Sequence, residues 1–133
     1  MADKVDISNP KKLGELIDKY MKDYAGQVED ALEDSMTEVG NEAVKTLKKT
    51  APSKTGKYKK AWRVEWKKKR LGYEGQIYNA KRGQLTHLLE FGHPLVRNGK
   101  VVGQIKAHPH IAPVDDWLNT ELPKRFEQKM KSL

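Results

Sequence analysis

The sequence predicts an α+β fold: a long N-terminal helix, a small antiparallel sheet, a short middle helix and a C-terminal helix. Three observations predict it. Apolar residues recur at helical spacing from Leu13 to Leu47. Trp62, Val64 and Trp66 alternate with Arg63, Glu65 and Lys67, the pattern of a half-buried strand. Val114, Trp117, Leu118, Leu122, Phe126 and Met130 then return to helical spacing.

Taken in order, residues 1–9 are expected to be flexible and residues 10–50 helical, with Asn9 as N-cap and Pro10 at the first helical position. The periodic set is Leu13, Leu16, Ile17, Tyr20, Tyr24, Val28, Ala31, Leu32, Val39, Ala43 and Leu47, and it ends at Ala51-Pro52. A continuous helix of that length would measure roughly 57 Å at about 1.5 Å per residue. A compact domain of this size has a radius of gyration of only about 14 Å. The helix therefore either breaks, with Gly26 and Gly40 as the candidate positions, or projects and needs a partner.

Pro52 to Lys60 reads as a loop, and residues 57–111 as sheet, short helix and hairpin. Leu71-Gly72 turns the chain, and Tyr73 to Asn79 supplies the strand antiparallel to the tryptophan strand. A short basic loop, Ala80 to Gln84, follows. Leu85 to Phe91 suits a short helix stopped by Gly92, with Leu85, Leu88, Leu89 and Phe91 inward. Asn98-Gly99 is the preferred pair for a type I′ hairpin turn. Pro109 and Pro113 keep Ile105 to Ile111 extended, because a residue before proline avoids the helical region. The last helix spans 113–131, and Pro123 should kink or divide it. The chain reads as a single domain over 1–133.

Leu, Ile, Val and Phe together make up only 28 of 133 residues. Such a chain folds around a small core or completes its burial against neighbours, and the second reading is favoured. The absence of cysteine excludes a disulfide framework, a thiolate metal site and a cysteine nucleophile. The N-terminal residues do not resemble a signal peptide, and no uncharged apolar stretch approaches the length of a membrane span. A protein made in the cytoplasm, with no membrane partner, is expected.

The net charge of +8 matters less than its layout. Between Lys11 and Val44 nine acids face four lysines, and between Lys45 and Arg70 twelve basic residues accompany Glu65 alone. Such segregation suits a basic face for nucleic acid, or an acidic face of one subunit meeting a basic face of the next. In the first case Lys59, Lys60, Arg63, Lys67, Lys68, Lys69 and Arg70 are the candidate phosphate contacts, and Tyr58, Trp62 and Trp66 the candidate stacking rings. Against it, Trp62 and Trp66 share the face that would build the core, and no helix-turn-helix or RNP-type pattern accompanies them.

All four histidines fall between Leu85 and Pro113. His108 and His110, two apart on an extended segment, would point to one side, as metal ligands on a strand do, with His87, His93 and Glu90 to complete a site. No acid lies near that pair in sequence, however, and the four fit no zinc spacing, so they read as surface or packed histidines. Glu90 with His93 can be written as a base and its partner. Glu90 lies among Leu88, Leu89 and Phe91, which reads better as a structural role at a helix end. There is no Gly-x-Ser-x-Gly, P-loop or dinucleotide fingerprint. No catalytic residue, cofactor or metal is expected.

Thr50 to Gly56 (TAPSKTG), then a strand pair, Leu89 to His93 (LEFGH) and Ala107 to Pro113 (AHPHIAP) occur in an order that resembles the head–tail joining or tail-completion family of long-tailed bacteriophages, also carried by prophages. The similarity runs from about Glu38 to Met130. It places family motifs at Pro52, Thr55 and Gly56, at Glu90, Phe91 and Gly92, and at Pro109 and Pro113. One departure is His110, where the family more often has Phe; another is the lysine density of Lys57 to Arg70. The resemblance implies a virion subunit, made in the host cytoplasm, that forms or joins an oligomeric ring at the head–tail junction or tail top. Its implied partners are further copies of the chain and neighbouring connector and tail-tube proteins, with no catalysis and no cofactor. The Thr55-Gly56 loop and the Asn98-Gly99 hairpin would be the contact elements, Gly56 and Gly92 would serve backbone geometry, and Glu90 a hydrogen bond or ion pair. The alternative reading is a non-specific nucleic-acid-binding module using Lys57–Arg70.

Overall fold

The computed structural model describes residues 5–6, 11–52, 56–69 and 72–133. The expected helix start at Asn9-Pro10, together with Thr55, Arg70 and Leu71, lies outside the described residues. The fold is α+β, and its largest element, α1 (Lys11–Thr50), is two helical arms in one. Tyr24 leaves helical geometry (φ −138°, ψ 42°). Before it, Leu16 shares a concavity with Thr120 and Pro123 of α4 (Ile111–Lys131), and Tyr20 meets Phe126 edge-on at 6.3 Å. After it, Glu38 pairs with Lys129, Glu42 with Arg125, and Thr46 lies beside Trp117. Contacts climb α4 before Tyr24 and descend it afterwards, so the chain reverses there.

The reversal resolves the length problem without a projecting rod, and neither glycine is the break. Gly26 lies two residues beyond it, with open space where a Cβ would stand, and Gly40 is buried in the second arm. Burial drives the turn. It places Leu13 and Leu16 of the first arm in one core with Val28, Val39, Ala43 and Leu47 of the second and Leu118, Leu122 and Phe126 of α4. A straight helix would leave the first-arm leucines in water, at a cost of about 1.5–3 kcal/mol each. Arg125 ties the packed helices together, bonding Glu42 through both terminal nitrogens and Glu121 through Nε.

The expected loop before the sheet contains a single helical turn, α2 (Lys57–Lys60), entered through Gly56 at φ 79° and burying Tyr58. Strands β2 (Trp62–Lys69) and β3 (Gly72–Asn79) pair antiparallel from Trp62↔Asn79 to Lys69↔Gly72. Residues 5–6 form β1 (Val5–Asp6) on the edge of β3 opposite β2. Trp62 and Ile77 are fully buried on the inner face. Register sets Gly75 opposite Trp66, and the indole lies diagonally across it to stack on Tyr73, 5.3 Å away and nearly parallel.

After α3 (Gly83–Phe91), strands β4 (His93–Arg97) and β5 (Lys100–Ile105) form a second, two-stranded sheet instead of extending the first. Asn98 and Gly99 both take positive φ (51° and 76°), as a type I′ turn requires. Helix α4 begins at Ile111, two residues earlier than expected, and runs unbroken through the buried Pro123. The carbonyl that this proline leaves without its helical donor belongs to Asn119, an exposed residue that water reaches.

Candidate functional site

Helix α3 turns a polar face inward. The leucine spacing suggests that Leu85, Leu88, Leu89 and Phe91 face the core; Leu85 and Leu89 do pack against it, partly buried, but the most buried residues of the helix are Thr86 and Glu90, and Phe91 is 51% exposed. The polar burial has a cause in partners that lie far along the chain. Glu90 Oε1 accepts hydrogen bonds from the backbone N–H of His110 (2.7 Å) and Ile111 (2.8 Å), and Oε2 accepts from Ala112 N–H (3.0 Å). One carboxylate thus satisfies three donors that the start of α4 would otherwise leave open, and its charge faces the positive end of the helix dipole. Burial pushes the Glu90 carboxyl up. The three N–H bonds, with the neighbouring His110, outweigh it and hold the group below its ordinary value.

His110 is buried beside that carboxylate. Its Nδ1 lies 2.8 Å from the His108 carbonyl and 3.1 Å from Glu90 Oε1, so it bears a hydrogen. Its Nε2 lies 2.7 Å from the Tyr58 hydroxyl, which sits 3.1 Å from Thr86 Oγ1. Burial raises the Tyr58 hydroxyl to about 12; the Thr86 bond lowers it and the Glu90 charge raises it further. The His110 ring also meets Tyr58 and Trp62 edge-on, at 5.6 and 5.9 Å, so it occupies an aromatic slot as well as a polar one. His108 is exposed, so the two histidines part instead of pointing to one side. Among the described residues no three His, Asp or Glu side chains converge as metal ligands.

Gly92 completes the junction. Its φ is +74°, and a Cβ there would stand 2.6 Å from the Ile105 carbonyl oxygen and 2.9 Å from Ala107 N. His108 N–H donates to the Leu89 carbonyl at 2.7 Å. The Glu90–Gly92 segment is therefore the clasp that holds the hairpin's return strand and the start of α4 against α3. Pro109 and Pro113 line a groove of about 400 Å³ with Thr46, Thr50, Val114 and Trp117, while Pro52 is half-buried where α1 ends.

Beyond its base, nothing among the described residues clasps the hairpin. Strands β4 and β5 pack on each other and on little else, and among the described residues none from 93 to 105 belongs to the buried core. Val96, Val101 and Val102 are 56%, 70% and 56% exposed. A two-stranded hairpin is marginal alone in water, and one with this much apolar surface gains stability from whatever covers it.

The basic segment divides on folding. Tyr58 and Trp62 are buried, and Trp66 stacks on Tyr73, so they offer no platform for bases. Lys67 and Lys68 are exposed toward the far end of β2, and Lys69 pairs with Glu74 at 2.8 Å. Lys59 is half-buried on α2, whereas Lys60 and Arg63 join Lys81 and Arg82, two residues that sequence reasoning did not single out. Sequence reasoning also missed that Tyr58 links His110 to Thr86; the i, i+4 spacing of Thr86 and Glu90 says only that the two share a helix face.

A family model described as "Bacteriophage HK97-gp10, putative tail-component" matches residues 15–92, from the first arm of α1 to Gly92 of the clasp. The chain belongs to this phage family. Within the HK97-gp10-like protein the matched region holds the helical reversal, the tryptophan strand pair and Glu90-Phe91-Gly92; the hairpin and α4 follow it. Comparison with curated proteins found no match, and comparison with solved structures found none either. The family is one of phage tail components, so the role of this member is structural and lies in the phage particle. Among the described residues no helix is long and apolar enough to cross a membrane.

Proposed function

We propose that this HK97-gp10-like protein is a non-catalytic subunit of the head–tail junction or tail top, forming or joining an oligomeric ring through its β4–β5 hairpin. The observation that carries the reading is the hairpin: an apolar arm held at its base by the clasp and left uncovered along its length. Covering Val96, Val101 and Val102, each more than half exposed, offers about 1–2 kcal/mol apiece. Charge favours a second copy as the cover. From Phe91 to Val114 there is no acid, while Arg97, Lys100 and Lys106 are exposed. On α1, Glu38 and Glu42 are taken up by Lys129 and Arg125, and Glu15, Asp18, Asp23, Glu29, Asp30 and Asp34 are exposed. A basic arm laid on the acidic helix of the next subunit buries the valines and matches the charges.

Glu90, Gly92, Pro109 and Pro113 then serve assembly indirectly, by fixing the angle at which the hairpin leaves the body. Native mass spectrometry of the full chain, alone and with purified connector and tail-tube proteins, tests the reading. Discrete oligomers or co-complexes are expected, and a chain that stays monomeric and binds neither protein contradicts it. Nucleic-acid binding by the whole segment Lys57–Arg70 has no comparable support, because its rings are buried and its lysines scattered.

A further inference from the structure

One set of cations remains outside this account. Lys60 of α2 and Arg63 of β2 share a cleft of about 400 Å³ with Lys81 and Arg82 of the β3–α3 loop, with Lys57 and Ala61 completing its lining. Among the described residues no carboxylate lines it. Its two rims are pinned by Asn79, which is buried and engages both the nitrogen and the oxygen of its side-chain amide on them. Asn79 Nδ2 donates to the Tyr58 carbonyl (2.8 Å), and Oδ1 accepts from Arg82 N–H (2.9 Å) and Lys81 N–H (3.3 Å). Ala80 N–H adds a bond to the Ala61 carbonyl at 2.8 Å. Arg63 Nη1 donates to the carbonyls of Lys60 and Trp62, both at 2.8 Å, which fixes the guanidinium at the rim. Fixing like charges around one concavity opposes folding unless an anion answers them.

We propose that this Asn79-pinned cleft is a binding site for the phosphodiester backbone of nucleic acid, taken without base recognition. Phosphates fit better than a protein surface for two reasons. Among the described residues the cleft presents no exposed apolar side chain, so a protein partner would gain only exposed ion pairs, each worth about 1 kcal/mol or less. The nearby rings of Tyr58 and Trp62 point into the core, which leaves charge as the recognition and counterion release as its driving force. The site does not depend on the hairpin, so it stands or falls separately from ring formation.

The test is fluorescence anisotropy of a labelled DNA duplex titrated with the full chain at several salt concentrations. Four neutralised phosphates predict a slope of log affinity on log salt of about −3.6, a loss of roughly 150-fold between 50 and 200 mM. K81E/R82E should at least halve the slope and weaken binding by about thirtyfold or more at 0.15 M salt. K81Q/R82Q, which removes charge without reversing it, should halve the slope too and keeps the test decisive if the reversal disturbs the loop. K67E/K68E, outside the cleft, should stay within about threefold of the parent, and a scrambled duplex should bind equally. The proposal is overturned if no duplex binds at 50 mM salt, if K67E/K68E loses as much as K81E/R82E, if one sequence is strongly preferred, or if a peptide copying residues 27–44 binds the cleft in place of the duplex.

Discussion

Replacing Glu90 with alanine removes the acceptor shared by three backbone N–H groups at the start of α4. Two of them belong to His110 and Ile111, both buried, and each orphaned donor costs about 1–3 kcal/mol. The third, on exposed Ala112, can turn to water. Loss of the charge at the helix start adds about 0.5–1 kcal/mol. The sum is a destabilisation of about 2.5–7 kcal/mol, or a fall in Tm of roughly 9–25 °C for a domain of this length. Glu90→Gln keeps one acceptor oxygen but sets an amide donor against backbone donors, so it should lose about half as much. Acid adds a second signature. Because folding depresses the Glu90 pKa below its ordinary 4.5, its contribution is complete above that pH and is lost as the pH falls through the folded value. Glu42, held down by its bond to Arg125 against slight burial, adds a smaller contribution of the same sign. Circular dichroism melts from neutral pH into the acid range should therefore show a steeper loss for the parent than for Glu90→Gln. An alanine variant within 1 kcal/mol of the parent, or a glutamine variant with the parent's acid slope, would refute the capping argument.

Two further outcomes follow from the same junction. Gly92→Ala forces a Cβ against two backbone atoms at a positive φ and should cost on the order of 3 kcal/mol in urea unfolding, whereas Gly83→Ala, with open space in the first turn of α3, should be neutral or gain up to about 1 kcal/mol; equal effects would contradict the clasp. Folding raises the Tyr58 pKa to about 12, so its contribution is complete below pH 10 and is lost as the pH rises through about 12. A difference titration of tyrosinate absorbance, parent minus Tyr58→Phe, should find that ring silent at pH 10, and an ordinary titration there would contradict its burial beside Glu90.

The sequence made the regular elements legible where local chemistry decides them. Asn98-Gly99 admits few alternatives to a tight hairpin, and Trp62, Val64 and Trp66 alternate because only one face of the sheet is covered. The reversal at Tyr24 was not legible, because both arms of α1 carry the same helical period and only the shared core tells them to fold back. The inward face of α3 was legible only in part: Leu85 and Leu89 do pack on the core, but apolar counting passes over Thr86 and Glu90. Thr86 and Glu90 are buried by partners more than twenty residues away, or nearly so, and no spacing on α3 encodes them. The cleft was half legible: Lys60 and Arg63 stand in the basic segment, while Lys81 and Arg82 join them only through Asn79.

The central claim is that the β4–β5 hairpin of this HK97-gp10-like protein is an assembly arm. Electron microscopy of phage lysates made with V96D/V101D tests it most directly, after a thermal melt has shown that the variant subunit folds as the parent does. Both valines are exposed and oppose each other across the hairpin, where two carboxylates repel by about 1 kcal/mol or less, so the account predicts a nearly unchanged melt together with separate heads and tails and few joined particles. Whole virions in parental numbers, from a subunit with two carboxylates on that arm, would contradict it.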